Sequence, residues 1–156
     1  MKLLVAAVGQ RMPRWVDEAF SEYAKRMPRR ARIELIEIRP EPRTQGKPIA
    51  KLLESESARI EAALPGGCGV IALDESGRAL TSAEFARWLA RRIDGGFDAA
   101  FVIGGPDGLS PRLKERAEMR LALSPMTLPH GLARVLLAEQ LYRAASILQN
   151  HPYHRE

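Results

Sequence analysis

Cysteine is nearly absent. Cys68 stands alone among 156 residues, which excludes an intramolecular disulfide, and its apolar run Cys68-Gly69-Val70-Ile71-Ala72-Leu73 reads as a buried, inert thiol. Long apolar stretches are missing too. None approaches the roughly 18 residues needed to cross a bilayer, and Met1-Lys2 leads straight into a short strand-like segment. Neither a membrane anchor nor a secretion signal is expected, and the expected location is the cytoplasm. The chain also lacks G-x-G-x-x-G, G-x-x-x-x-G-K-[ST] and G-x-S-x-G, which disfavours a nicotinamide enzyme and removes the simplest nucleotide triphosphatase and hydrolase readings. Histidines number three. Two of them, His151 and His154, are spaced H-x-x-H but flank Pro152 with no third ligand near in sequence, so no metal site is expected.

What is present describes a folded domain. Hydrophobic residues make up 46% and charged residues 28%, far from the signature of disorder. A chain of this length buries a core without metal or disulfide support, so residues 1–156 are taken as one domain. The net charge of +5 is unevenly placed: residues 11–51 hold 11 Lys/Arg against 6 Asp/Glu, and the remainder balances at 13 of each. A surplus confined to one segment reads equally as an electrostatic footprint for phosphates or as a solvated Arg-rich face.

Apolar runs and helical periods alternate along the chain. Lys2 to Val8 reads as a buried strand ended by Gly9. From Pro13, the residues Trp15, Val16, Ala19, Phe20 and Tyr23 recur at helical spacing until Pro28. Ile33 to Ile38 is a β-branched strand, Arg39 to Pro48 a proline-rich surface loop, and Ile49 to Leu64 a helix. The alternation repeats with a strand ending at Leu73 and a helix opened by Thr81-Ser82-Ala83-Glu84 at capping-box spacing. A fourth strand covers Ala99 to Ile103, Ser110-Pro111 caps a short helix, Leu121-Ala122-Leu123 forms a brief fifth strand, and the last helix runs from about Gly131 to Gln149. The fold class is therefore α/β, a mostly parallel sheet with helices on both faces. The last helix is apolar well beyond one stripe, which suggests the same helix of a second copy across a twofold axis, or a central place in a monomeric core.

In open α/β sheets ligands bind beyond the carboxyl ends of the strands. Three loops qualify: Leu73-Asp74-Glu75-Ser76-Gly77, Gly104-Gly105-Pro106-Asp107-Gly108, and Ser124-Pro125-Met126-Thr127-Leu128-Pro129-His130. Two adjacent glycines let a ligand approach the backbone, and the last loop mixes apolar side chains with main-chain groups freed by two prolines, a combination suited to an adenine ring. The tail Asn150-His151-Pro152-Tyr153-His154-Arg155-Glu156 offers donors, acceptors and a stacking ring of the kind RNA recognition uses.

Four ordered segments carry a family resemblance: Ile103-Gly104-Gly105-Pro106-Asp107-Gly108-Leu109-Ser110, Leu123 to His130, Leu141-Tyr142-Arg143-Ala144, and His151-Pro152-Tyr153-His154-Arg155-Glu156. With the chain length and the Met-Lys-Leu start, they resemble the ribosomal large-subunit RNA methyltransferase H family, the pseudouridine N3-methyltransferases of the SPOUT (α/β-knot) superfamily. The resemblance implies a cytoplasmic homodimer with a C-terminal deep trefoil knot, which general topology rules would not suggest. It implies S-adenosylmethionine as cofactor, held by Leu73, Gly104 and the run Leu123, Ser124, Pro125, Met126, Thr127 and Leu128, of which Pro125 and Met126 are a local variant. The implied substrate is a pseudouridine of large-subunit (23S) ribosomal RNA on the assembled ribosome, without metal. His154 is the candidate base toward the imide N3, with Arg155 stabilising the developing anion as the alternative. Tyr153 is the candidate stacking residue. Arg143 would contact phosphate or pair with an acid on its own helix, and Arg29 and Arg30 would supply phosphate contacts from the basic segment. A related enzyme acting on transfer RNA and a noncatalytic ribosome-binding protein are the competing classes.

Overall fold

The computed structural model describes residues 1–155. In chain order its elements are β1 (Lys2–Val8), α1 (Arg14–Arg26), β2 (Arg32–Ile38), α2 (Ile49–Ala63), β3 (Gly69–Ala79), α3 (Ser82–Gly95), β4 (Ala99–Ile103), α4 (Pro111–Arg116), β5 (Met119–Ala122) and α5 (His130–Leu148), then a 3-10 turn at Pro152–Arg155. The five strands form one sheet in the order β2-β1-β4-β3-β5, and every pairing is parallel.

Both sheet faces are covered, which is why the central strands are apolar almost without interruption. Leu3, Val5, Ala7, Phe101 and Ile103 pack with Phe20 of α1, Phe85 of α3 and Leu137 and Leu141 of α5. Ala6, Val8, Ala72 and Val102 point the other way, toward Ile60 of α2 and Leu113 of α4. The two-residue alternation of the strands thus assigns α1, α3 and α5 to one face and α2 and α4 to the other.

The helix boundaries follow local chemistry. Thr81 caps α3 with both legs of a capping box: Glu84 N–H donates to Thr81 Oγ1 at 3.1 Å and Thr81 N–H donates to Glu84 Oε2 at 2.7 Å. Ser110 accepts from Leu113 N–H to open α4. The C-terminus of α5 is closed by His151 N–H donating to Ser146 O at 2.8 Å, with Asn150 at φ +53 reversing the chain.

Three expectations need correction. β3 does not end at Leu73: it runs on to Ala79 through a register shift between Leu73 and Arg78 against β5. Gly77 makes this extension possible, because a Cβ there would come within 2.7 Å of the Arg120 backbone. β5 starts at Met119 and ends at Ala122, leaving Leu123 in the following loop. Cys68 is half-buried just ahead of β3, at the lip of a side hollow, not inside the core. Its partial burial pushes the thiol pKa up, so it is a poor nucleophile.

The apolar surplus of α5 finds much of its cover within the chain, since the helix lies between α1 and α3 and contacts both. Leu132, Val135, Leu136, Tyr142, Ile147 and Leu148 stay only half-buried. Among the described residues no helix is long and apolar enough to cross a membrane.

Candidate functional site

Parallel strands deliver their outgoing loops to one edge, and there a cleft of about 690 Å³ opens. Its floor is apolar, with Leu73 from β3, Ile103 from β4 and Leu121 from β5. Its walls are the three loops singled out above: Asp74 and Glu75, residues 104–109, and residues 123–130 apart from Pro125. The size falls in the range of roughly 300–1,000 Å³ usual for small-molecule and cofactor sites.

The glycine loop is shaped by itself. A Cβ on Gly104 would lie 2.4 Å from the Gly108 carbonyl, because the loop folds back so that Gly105 and Gly108 pair as an isolated bridge. The glycine at 104 is therefore required by the loop's own closure. The loop is anchored from outside by Arg43, whose guanidinium pairs with Asp107 at 3.1 Å and with Glu56 of α2 at 2.6 Å. Glu56 is fully buried and also accepts from Glu41 N–H at 2.9 Å, which fixes the loop from Arg39 to Pro48 beside the site.

The last loop is held at both ends. Thr127 Oγ1 donates to Glu75 at 2.7 Å, tying it to the β3 extension, and Met126 N–H donates to Ser124 Oγ. At its exit, Arg134 in the first turns of α5 is completely buried. It donates to Gly9 O at 2.8 Å and pairs with Glu37 of β2 at 2.9 Å. This cross-link plants the start of α5 over the end of β1. Met126 is exposed, whereas Leu73, Leu123 and Leu128 are half-buried in the lining of the cleft.

Asp74 and Lys114 face each other within the cleft at 3.5 Å. Burial pushes the Asp74 carboxyl up, but hydrogen bonds from Ser76 and the nearby ammonium outweigh it and leave the group below the ordinary carboxylate range. His130 is pushed below its ordinary value by burial, with the Arg134 charge adding to the effect, so it is a neutral imidazole at the cleft edge. Lys114 lies outside the three loops that the sequence marks, whereas His130 closes the last of them without an assigned role. Asp74 directly follows Leu73, where the apolar run of β3 stops, and that change in pattern is its signal in the sequence.

The remaining candidates lie elsewhere. α5 runs beside α1 in the same direction, from Gly131 near Met12 and Val16 to Tyr142 beside Tyr23. Arg143 is 13 residues past His130, which is roughly 20 Å along the helix axis. There it pairs with Glu139 at 2.8 Å, the same-helix acid, and lies over the Tyr153 ring at 5.1 Å. Tyr153 packs on Tyr142 at 4.6 Å and donates its hydroxyl to Glu139 at 3.0 Å. Burial, then hydrogen bonds with Tyr23 and Glu139, push its phenol far up, so it stays neutral. His154 is half-buried with a buried Nδ1 that has no hydrogen-bond partner among the described residues, and Arg155 is exposed. Glu156, the last residue of the tail motif, lies outside the described residues. Arg29 and Arg30 are exposed in the turn before β2, at the edge where the strands begin. The structure thus brings the cofactor candidates other than Pro125 together at one end of the sheet, and gathers Arg143, Tyr153 and His154 around the far end of α5.

The basic segment from Arg11 to Lys51 does not form one patch. Arg14, Arg26, Arg43 and Lys47 are paired with Glu18, Glu22, Glu56 and Glu41, and the segment reaches both ends of the sheet.

Comparison with known proteins agrees with this architecture. Residues 1–154 match the family described as "Predicted SPOUT methyltransferase". The chain is 59% identical over 155 residues to a protein of Ralstonia nicotianae named ribosomal RNA large subunit methyltransferase H, covering 99% of each. Proteins of the same name from Bordetella pertussis and Nitrosospira multiformis are 57% and 55% identical, again over 99% of each chain. Among solved structures, a probable methyltransferase from Bordetella pertussis Tohama I superposes with a TM-score of 0.58 at 18% identity, covering 92% of this chain and 93% of that one. That likeness concerns the fold.

Proposed function

Since the chain belongs to the SPOUT methyltransferase family, we propose that it binds S-adenosylmethionine in the cleft and methylates N3 of a pseudouridine in large-subunit ribosomal RNA, on the assembled ribosome and in the cytoplasm. One observation carries the cofactor reading: Leu73 of β3, Gly104 of the loop after β4, and Leu123 and Leu128 of the loop after β5 converge on one cleft of about 690 Å³. The residues fit the group. The apolar floor suits an adenine face, and the buried Asp74 Oδ2, with the Lys114 ammonium 3.5 Å away and no hydrogen-bond partner among the described residues, can accept from a ligand donor.

Bound there, the cofactor supplies a methyl group on a sulfonium, which an in-line displacement transfers without a covalent enzyme intermediate. The protein's part is placement and proton handling. The loops orient the donor, Tyr153 stacks on the target base, His154 takes the N3 proton, and Arg155 stabilises the anion left behind. Arg143 holds the tail and, with Arg29 and Arg30, lies toward the RNA backbone. Within one chain this tail is roughly a helix length from the cleft, which supports a homodimer in which each tail completes the partner's cleft. The half-buried apolar residues of α5 would supply part of that interface.

The C-terminal segment is also read as a deep trefoil knot. The supporting observation is its path: from the edge strand β5 it is tied to Glu75, lines the same cleft as the glycine loop, then enters α5 above the end of β1.

The decisive experiment is transfer of a labelled methyl group to unmodified ribosomes, with and without prior pseudouridylation, followed by mapping of the modified base. Label at N3 of a pseudouridine is the expected result. Label on transfer RNA, or none despite cofactor binding, would refute the assignment.

A further inference from the structure

Three carboxylates line the cleft, and two are already engaged. Glu75 accepts from Thr127 Oγ1 at 2.7 Å, and Asp107 is paired with Arg43 at 3.1 Å. Asp74 differs. Its side chain is 10% exposed, its Oδ1 is fixed by Ser76 N–H at 3.2 Å, and its buried Oδ2 has no hydrogen-bond partner among the described residues. The nearest cation, Lys114 Nζ, stands 3.5 Å from that oxygen, well beyond the roughly 2.7–2.9 Å of a charge-assisted hydrogen bond. Lys114 is the one cationic side chain lining the cleft among the described residues, because the neighbouring His130 is neutral.

A buried acceptor left without a donor costs free energy, and a native protein keeps one where something else satisfies it. Here a fixed carboxylate and a loosely held ammonium stand side by side, facing the same space, above an otherwise apolar floor. The complementary ligand group carries an ammonium and a carboxylate close together, which is an α-amino acid.

Resting on the cofactor reading above, we propose that Asp74 and Lys114 form the subsite for the amino-acid end of S-adenosylmethionine, Asp74 accepting from its α-ammonium and Lys114 pairing with its carboxylate. The loose Asp74–Lys114 contact is then a pair that the zwitterion bridges. The division of labour in the cleft follows: apolar walls and main chain hold the nucleoside, and one charge pair reads the rest of the molecule.

Titration calorimetry on the intact chain separates the two parts of the ligand, using S-adenosylmethionine, S-adenosylhomocysteine and 5′-methylthioadenosine, which lacks the amino-acid end. Asp74→Asn and Lys114→Met should each weaken the first two by roughly ten- to a hundredfold and leave methylthioadenosine within about twofold. Retained methylthioadenosine binding also reports an intact cleft, and the half-exposed Lys114 gives a variant that carries the test even where Asp74→Asn disturbs the β3 extension. Equal loss for all three ligands, or wild-type affinities in Lys114→Met, would overturn the subsite. Failure of the unmodified protein to bind any of the three would instead overturn the cofactor reading itself.

Discussion

Gly104 shows how little room a single position can have. A methyl group there meets backbone, not a flexible side chain, so Gly104→Ala must open the loop between residues 104 and 108. We expect a loss of about 1–3 kcal/mol in stability by chemical denaturation, together with loss of cofactor binding by calorimetry. His130 gives a second prediction at this scale. Its folded-state pKa lies below the ordinary 6.5, so the unfolded chain takes up the proton first. Stability from this residue is whole above about pH 6.5 and declines as pH falls below it toward the folded value. Replacing His130 by Gln should flatten that part of the curve in melting experiments between about pH 7 and 5, and an unchanged slope would contradict the assignment. Residues such as these differ in how far a sequence exposes them. Leu73 and Gly104 sit where apolar runs stop, which marks their loops in the sequence, while their individual roles follow from the family resemblance. Lys114 reaches the cleft from the first turns of α4, and Arg134 disappears into the interior from a helix otherwise rich in leucine. Both placements depend on which strands are neighbours, information that no local pattern contains.

Capping decides where α3 begins. With both legs of its box formed, Thr81→Ala should cost about 1 kcal/mol and lower the midpoint of thermal unfolding, while Ser82→Ala, outside the box, should leave the cap intact. The alternation of apolar runs and amphipathic helices made nearly every element visible in advance, because a doubly covered parallel sheet demands strands without polar interruptions. It failed where tertiary pairing overrides composition. Asp74 to Ala79 carries turn residues, yet it continues β3 because Gly77 lets β5 press against its backbone. Cys68 likewise belongs to an apolar run but falls one residue short of the strand, which leaves it at a hollow's lip. The buried Glu56 of α2 offered no signal at all, since a helical glutamate ordinarily faces water.

Taken whole, the molecule divides its labour between two ends of the sheet. Gly104, Leu123 and Leu128 stand at the edge where strands finish; Arg143, Tyr153, His154 and Arg155 stand beside the far part of α1. If tails act across a homodimer, a subunit disabled at the loops and another disabled at the tail should complement each other. Mixed dimers of Gly104→Ala with His154→Ala would regain one working site of two, roughly half the wild-type rate. Homodimers of either variant would stay inactive, and no recovery on mixing would contradict exchange of tails. Charge reversal at Arg29 and Arg30 should weaken ribosome binding with a reduced salt dependence and leave cofactor affinity untouched.

The helix joining these regions has one further consequence. α5 holds 19 residues between Pro129 and Gln149, and a regular helix advances about 1.5 Å and turns about 100° with each residue. It acts as a gauge block whose length and phase are both set by counting. Adding one residue to its middle would swing everything downstream a quarter turn or more, whereas adding seven would nearly restore the bearing and lengthen the span by about 10 Å. Substitutions along the rod can be absorbed; a change in its tally cannot.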